Sequence, residues 1–196
     1  ARKLKDRVKV TISPPVFMSA ISLCLLNMAR YGVITWIPAY LYREYSMPIA
    51  KVGITICLIP LAGIIGTLLH NKIKLPKDIS SIAYLLLLCV VFILLPNANQ
   101  VVTFTLLILS GLFLYAPHVF LVTTMPSRYL KHDAVAATTG FIDGWGYVGS
   151  AFIGVIVPFI IDITGNWTAV FYFWAIIVVL VSIMISLIYI RNRRNG

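Results

Sequence analysis

Arg30 carries the clearest chemistry in this sequence. It stands in Asn27-Met28-Ala29-Arg30-Tyr31-Gly32, deep inside an apolar segment that runs from Pro15 to Leu41. If that segment is a membrane helix, the guanidinium lies about fifteen residues, or ~22 Å, from its start. That is a long reach for a side chain that snorkels to water. A cation at such depth costs at least about 2.5–3.5 kcal/mol on insertion scales, so it is expected to face a cavity or a partner. The guanidinium fork grips two oxygens of a phosphate or carboxylate, which suits an anionic ligand or a structural acid. Asp143, in Gly140-Phe141-Ile142-Asp143-Gly144-Trp145-Gly146, is the one acid within an apolar segment. It reads either as a helix-pairing group or as a carboxylate that couples protons or substrate. Counted from the ends of their segments, Asp143 and Arg30 differ in depth by roughly 9 Å, so tilt or bending would have to bring them together. His118, in Tyr115-Ala116-Pro117-His118, is a candidate proton relay or a hydrogen-bonding partner of a neighbouring carbonyl. Tyr115 and Tyr147 are deep enough to line a cavity, whereas Tyr40 and Tyr42 fit an interfacial belt.

Other chemistries find no residues to carry them. His, Cys, Asp and Glu nowhere take metal-ligand spacing, and there is no serine nucleophile motif or phosphate loop. No enzyme activity, metal or cofactor is therefore expected. Cys24, Cys57 and Cys89 lie in apolar runs and read as small buried hydrophobes. His70 and His132 flank loops, where solvation is expected.

These residues must be positioned by membrane helices. The chain of 196 residues is 60% hydrophobic and 11% charged, with mean hydropathy +0.96. A soluble domain holds about 45–50% apolar and about 25% charged residues. That excess excludes a soluble enzyme, a disulfide framework or a disordered tail as the whole chain. At about 20 apolar residues per crossing, six spans are expected: Pro15–Leu41, Pro48–Leu69, Ile79–Leu95, Val101–Met125, Val135–Ile161 and Trp167–Ile190. Residues 1–14 form a basic linker and residues 191–196 a basic tail. The third span is the shortest.

The net charge of +10 suggests topology rather than nucleic acid, because the bases lie between the apolar runs. Thirteen Lys and Arg fall in segments that share one side if all six spans cross, and only Arg43 and Lys51 fall opposite. Both termini are therefore expected in the cytoplasm. Small residues at four-residue spacing, Gly140/Gly144 and Ser150/Gly154, are expected to bring helices into close contact, and Gly63 and Gly66 to act similarly. Pro60, Pro117 and Pro158 should bend their helices. The absence of an initiating Met leads us to expect a longer parent chain.

Around Arg30 the sequence becomes familiar. Arg30-Tyr31-Gly32-Val33-Ile34-Thr35-Trp36-Ile37-Pro38-Ala39-Tyr40-Leu41 resembles the seventh transmembrane helix of the organophosphate:phosphate antiporters, a branch of the major facilitator superfamily. Gly66-Thr67-Leu68-Leu69 is similar to the end of their eighth helix, and Leu114-Tyr115-Ala116-Pro117 to their tenth. Ala137-Thr138-Thr139-Gly140-Phe141 through Gly146-Tyr147-Val148-Gly149 is similar to their eleventh. The resemblance implies the C-terminal six-helix half of a facilitator, built from 3+3 inverted repeats, with residues 1–14 corresponding to the central cytoplasmic loop. It implies exchange of glycerol 3-phosphate or a sugar phosphate for inorganic phosphate, in the inner membrane of a bacterium.

Residue by residue, Arg30 falls on the family's phosphate-gripping arginine, and Tyr115 and Tyr147 on tyrosines of the central cavity. The partners implied are a small phosphate-bearing anion, lipid and an N-terminal six-helix half that supplies a second arginine; nucleic acid is not among them. The chain departs from the glycerol-phosphate members at Thr35, where they have Asp, and at Asp143, where they have Gly. Ile142-Asp143-Gly144 is closer to the animal sugar-phosphate exchangers. The loop after the second span lacks the facilitator Gly-x-x-x-Asp signature and reads His70-Asn71-Lys72-Ile73-Lys74. A sugar-phosphate receptor of the same fold and a six-helix channel subunit or membrane enzyme are the competing readings.

Overall fold

In hydrocarbon no water is available to satisfy backbone N–H and C=O groups, so a spanning apolar segment closes its hydrogen bonds internally as helix. The computed structural model describes residues 2–130 and 133–194, and side chains for 6–130 and 133–193. Lys131 and His132 therefore lie outside the described residues. A short helix α1 (Arg2–Thr11) precedes α2 (Pro14–Tyr45), α3 (Ile49–Lys72), α4 (Lys77–Leu94), α5 (Gln100–Val119), α6 (Met125–Ser127), α7 (Val135–Thr164) and α8 (Thr168–Arg194). A 3-10 turn at Leu95–Asn97 extends α4, and a π-helical segment at Phe120–Thr124 joins α5 to α6. Among the described residues, six stretches are long and apolar enough to cross a membrane: Pro14–Tyr45, Ile49–Lys72, Lys77–Asn97, Gln100–Ser127, Val135–Thr164 and Thr168–Arg193. The protein is all-α, a bundle of six membrane-spanning helices.

Local chemistry sets the breaks between helices. The basic N-terminal stretch is itself helical, but it cannot run on into α2. Pro14 and Pro15 occupy the first turn of α2, and the residue before them, Ser13, is extended at φ −64° and ψ 148°, as a following proline requires. The helix α2 stops where Ser46 turns left-handed at φ 47°. Gly165 ends α7 at φ 71° and returns its N–H to the Ile161 carbonyl, a conformation glycine adopts without steric cost. Asn99 caps α5, its Oδ1 accepting the Val102 N–H at 3.0 Å.

The helices associate in pairs: α2 packs most extensively on α7, α3 on α5 and α4 on α8. This is the pattern of a 3+3 repeat. Exchanging spans one with four, two with five and three with six converts the α2–α7 pair into α5–α3 and leaves α4–α8 unchanged. Glycines make the first two pairs tight. A Cβ on Gly149 would lie 1.9 Å from the Cys24 carbonyl oxygen, one on Gly66 1.9 Å from that of Leu112, and one on Gly111 2.1 Å from that of Ile59. The α4–α8 pair is filled instead by large rings, with Phe92 and Trp174 at 5.7 Å and Phe171 and Trp174 at 5.6 Å between centroids.

Several sequence expectations need correction. Gly140, Gly144 and Gly154 have nothing within 4 Å of where a Cβ would stand. The close seam of α7 runs through Gly146 and Gly149, on the opposite face from the Gly140/Gly144 pair. Tyr40 is buried rather than interfacial, with its ring against Tyr45, Trp167 and Phe171, while Tyr42 is exposed. Cys57 is exposed on α3, whereas Cys24 and Cys89 are half-buried.

His70 is only 3% exposed, not solvated. The helix α3 continues one turn past the apolar run and lays the ring on α4, where Nε2 meets the Ser80 and Ser81 hydroxyls at 2.8 and 3.2 Å. At this same end of the bundle Lys77 donates to the carbonyls of His70, Asn71 and Ile73 at 2.9–3.0 Å. It thereby supplies a cation to the C-terminus of α3. Arg7 pairs with Asp133, tying α1 to the approach to α7.

Arg128 donates to Asp78 at 2.6 Å, with the Asp78 side chain 6% exposed. Removing one partner of such a pair strands a buried charge. Arg128→Ala is therefore expected to destabilise the folded protein by about 3 kcal/mol, the lower end for a buried pair because the arginine is partly solvated. Adding Asp78→Asn should recover most of the loss, as read from thermal unfolding in detergent. A double variant no more stable than Arg128→Ala would show that the pair is not what holds this end.

Candidate functional site

The site is assembled around Arg30 on α2. Asn27 precedes it by three residues, on the same helical face, and accepts the Arg30 Nε–H at 3.0 Å. That bond uses Nε and leaves the two-nitrogen fork of the guanidinium for other oxygens. Asn27 is itself fully buried, and space for it is made by α7: a Cβ on Gly146 would lie 2.6 Å from Asn27 Nδ2 and 2.9 Å from Leu23. A glycine on one helix thus sets an asparagine on another, which orients the arginine.

Aromatic faces complete the surroundings. The Arg30 Cζ lies 4.5 Å from the Tyr31 ring centroid and 5.8 Å from that of Tyr115 on α5, within cation–π range. Tyr115 reaches this position because Gly63 on α3 yields room, a Cβ there falling 2.4 Å from the tyrosine ring. His118 follows Tyr115 by three residues, about one turn, on the same face of α5. Its Nε2 is sealed from solvent and has no hydrogen-bond partner. Just beyond it the helix changes from α to π geometry at Phe120–Thr124. Pro117 lies immediately before His118 in that helix and lacks the N–H that would bond the carbonyl one turn back.

The cluster is a guanidinium bounded by an amide oxygen and two tyrosine rings, with an imidazole one turn further along α5. Among the described residues the ion pairs are Arg7–Asp133 and Arg128–Asp78, so no carboxylate lies within 4.0 Å of Arg30. A partly buried guanidinium with its fork unbonded and, among the described residues, no carboxylate within 4.0 Å can take two oxygens of an anion.

The structure brings together Arg30 of α2 and Tyr115 of α5, with His118 one turn beyond Tyr115 on the same helix. Asp143 does not join them by an ion pair, and no base lies within 4.0 Å of its carboxylate among the described residues. Tyr147 is 57% exposed, on a face of α7 that the rest of the bundle leaves open. The positioning residues Asn27 and Gly146 were not singled out from sequence. The three-residue offset of Asn27 from Arg30 was a usable signal; the role of Gly146 depends on how α7 is rotated against α2.

No protein-family model matches the chain. Similar curated proteins include sugar phosphate exchanger 3 of Xenopus laevis, 22% identical over 194 residues, which cover 93% of this chain and 38% of that protein. The glycerol-3-phosphate transporter of Bacillus subtilis is 27% identical over 174 residues, 84% of this chain and 39% of the transporter. Membrane sensor protein UhpC of Escherichia coli is 23% identical over 171 residues, 83% of this chain and 38% of the sensor. The chain thus spans about 38% of the length of the curated relatives it matches.

Proposed function

We propose that this chain, a multi-pass membrane protein similar to the C-terminal half of the organophosphate:phosphate antiporters, works as half of a secondary transporter. It exchanges an organophosphate, either glycerol 3-phosphate or a sugar phosphate, for inorganic phosphate by alternating access. The observation that carries this reading is Arg30, held mid-helix by Asn27 with no carboxylate against it. The fork grips phosphate oxygens, and an arginine from an N-terminal six-helix half completes the clamp. Tyr115 lines the site beside Arg30, and Tyr147, on the open face of α7, lines the cavity between the halves. Asp143 is the candidate coupling carboxylate. Bound anion lowers the barrier to rocking of the halves, so the empty transporter returns slowly and exchange is obligatory. Lipid surrounds the remaining faces. The excess of bases on one side of the spans favours cytoplasmic termini, and the membrane is the inner membrane of a bacterium.

A receptor for sugar phosphate is the second reading, favoured by the similarity to a membrane sensor protein. Exchange of labelled phosphate by the full-length protein in proteoliposomes separates the two. A transporter takes up label only when phosphate or a sugar phosphate is present inside, and Arg30→Ala abolishes that uptake. Sugar-phosphate binding without exchange supports the receptor, and absence of both activities defeats the two readings together.

A further inference from the structure

We infer that His118 is a second binding group for the phosphate, donating its Nε2–H to an oxygen that the Arg30 fork leaves free. The inference rests on the reading of this chain as part of a phosphate-binding transporter and adds a contact to that site. His118 lies one turn beyond Tyr115, and Tyr115 is the α5 residue whose ring stands over the Arg30 guanidinium. The His118 Nε2 is closed to solvent yet has no partner, although buried polar atoms in native proteins are almost always hydrogen-bonded. Leaving such an atom unmade costs the desolvation of the group, so its partner is expected to arrive with a ligand.

The chemistry of that ligand follows from the neighbours. A neutral imidazole presents one N–H donor, the guanidinium is donor-only, and no carboxylate stands within 4.0 Å of Arg30. Arg30 and His118, joined through Tyr115 on the same face of α5, are two donors that an oxygen-rich anion could satisfy together, and a tetrahedral phosphate has oxygens for both. Asn27 Nδ2 is also buried and unpartnered, but it points at Gly146. The backbone adds a second mark. A π segment begins two residues after His118, and such segments recur at functional sites because they re-aim side chains at the expense of regular hydrogen bonding.

The test uses inorganic phosphate and the full-length protein in detergent, with affinity read by calorimetry. His118→Leu removes the donor and should weaken phosphate binding by about ten- to one-hundredfold, the range for a hydrogen bond to a charged group. His118→Gln restores an N–H at similar reach and should bind within about threefold of wild type. The second measurement needs no variant of His118: with 15N-labelled histidine, its Nε2 resonance should move when phosphate is added and stay put in Arg30→Ala. Wild type that binds phosphate with His118→Leu equally tight, or with an unmoved resonance, overturns the role of His118 and leaves the transporter reading standing. Wild type that binds no phosphate or organophosphate overturns the transporter reading itself.

Discussion

Arg30→Lys is expected to reduce phosphate exchange by between about tenfold and a few hundredfold while the protein still inserts and folds. The substitution keeps a positive charge at the same depth, so the electrostatic demand for an anion survives. It removes the planar fork that grips two oxygens at once. It also removes the Nε–H that Asn27 holds at 3.0 Å, and the flat face that lies against Tyr31 and Tyr115. An ammonium on a four-carbon stem is a point charge with free rotation, and nothing in this cluster would fix it. The measurement is the initial rate of labelled phosphate exchange at low substrate, normalised to folded protein. Near-normal exchange would take Arg30 out of the substrate site.

Gly149→Val should leave little or no folded protein. Even a methyl at this position falls 1.9 Å from the Cys24 carbonyl oxygen, and backbone cannot step aside as a side chain can. Admitting it requires α2 and α7 to separate by more than 1 Å along their main interface, at a cost at or above the upper end of the ~1–3 kcal/mol typical of overpacking. Parting the helices would also disturb Gly146 and Asn27, and through them Arg30. The control lies on the same helix: at Gly140 and Gly144 an added Cβ has nothing within 4 Å among the described residues, so Gly140→Val and Gly144→Val should preserve the fold. Yield of monodisperse protein by size-exclusion chromatography and the unfolding temperature compare the three. Equal tolerance at Gly149 and Gly144 would mean that the seam has been assigned to the wrong face of α7.

That comparison also marks how far the sequence could be read. The six spans were legible because an apolar run of bilayer length has one solution in hydrocarbon, whatever its neighbours. Arg30 was legible because its charge is out of place in such a run. Rotation of a helix about its axis was not. Small and apolar residues occur on every side of α7, so Gly140/Gly144 and Gly146/Gly149 look alike in sequence, and contact with α2 distinguishes them. The same ambiguity left open whether Asp143 would meet Arg30, whereas the three-residue offset of Asn27 from Arg30 was there to be read. His70 was misplaced for a simpler reason. Apolar content falls before the helix does, and a turn carried past the hydrophobic run buried a residue that its loop position had marked as wet.

The two glycine seams have a mechanical meaning. Where backbone touches backbone there is little side-chain padding to deform, so α2 with α7, and α3 with α5, behave as two stiff beams, and compliance is left to the junction between them. Arg30 belongs to one beam, while Tyr115 and His118 belong to the other. On the proposed reading, an anion gripped by both would tie the two beams directly at the depth of Arg30. The α4–α8 pair already links the beams, α8 packing on α2 and α4 on α5, so the anion would stiffen a junction that exists without it.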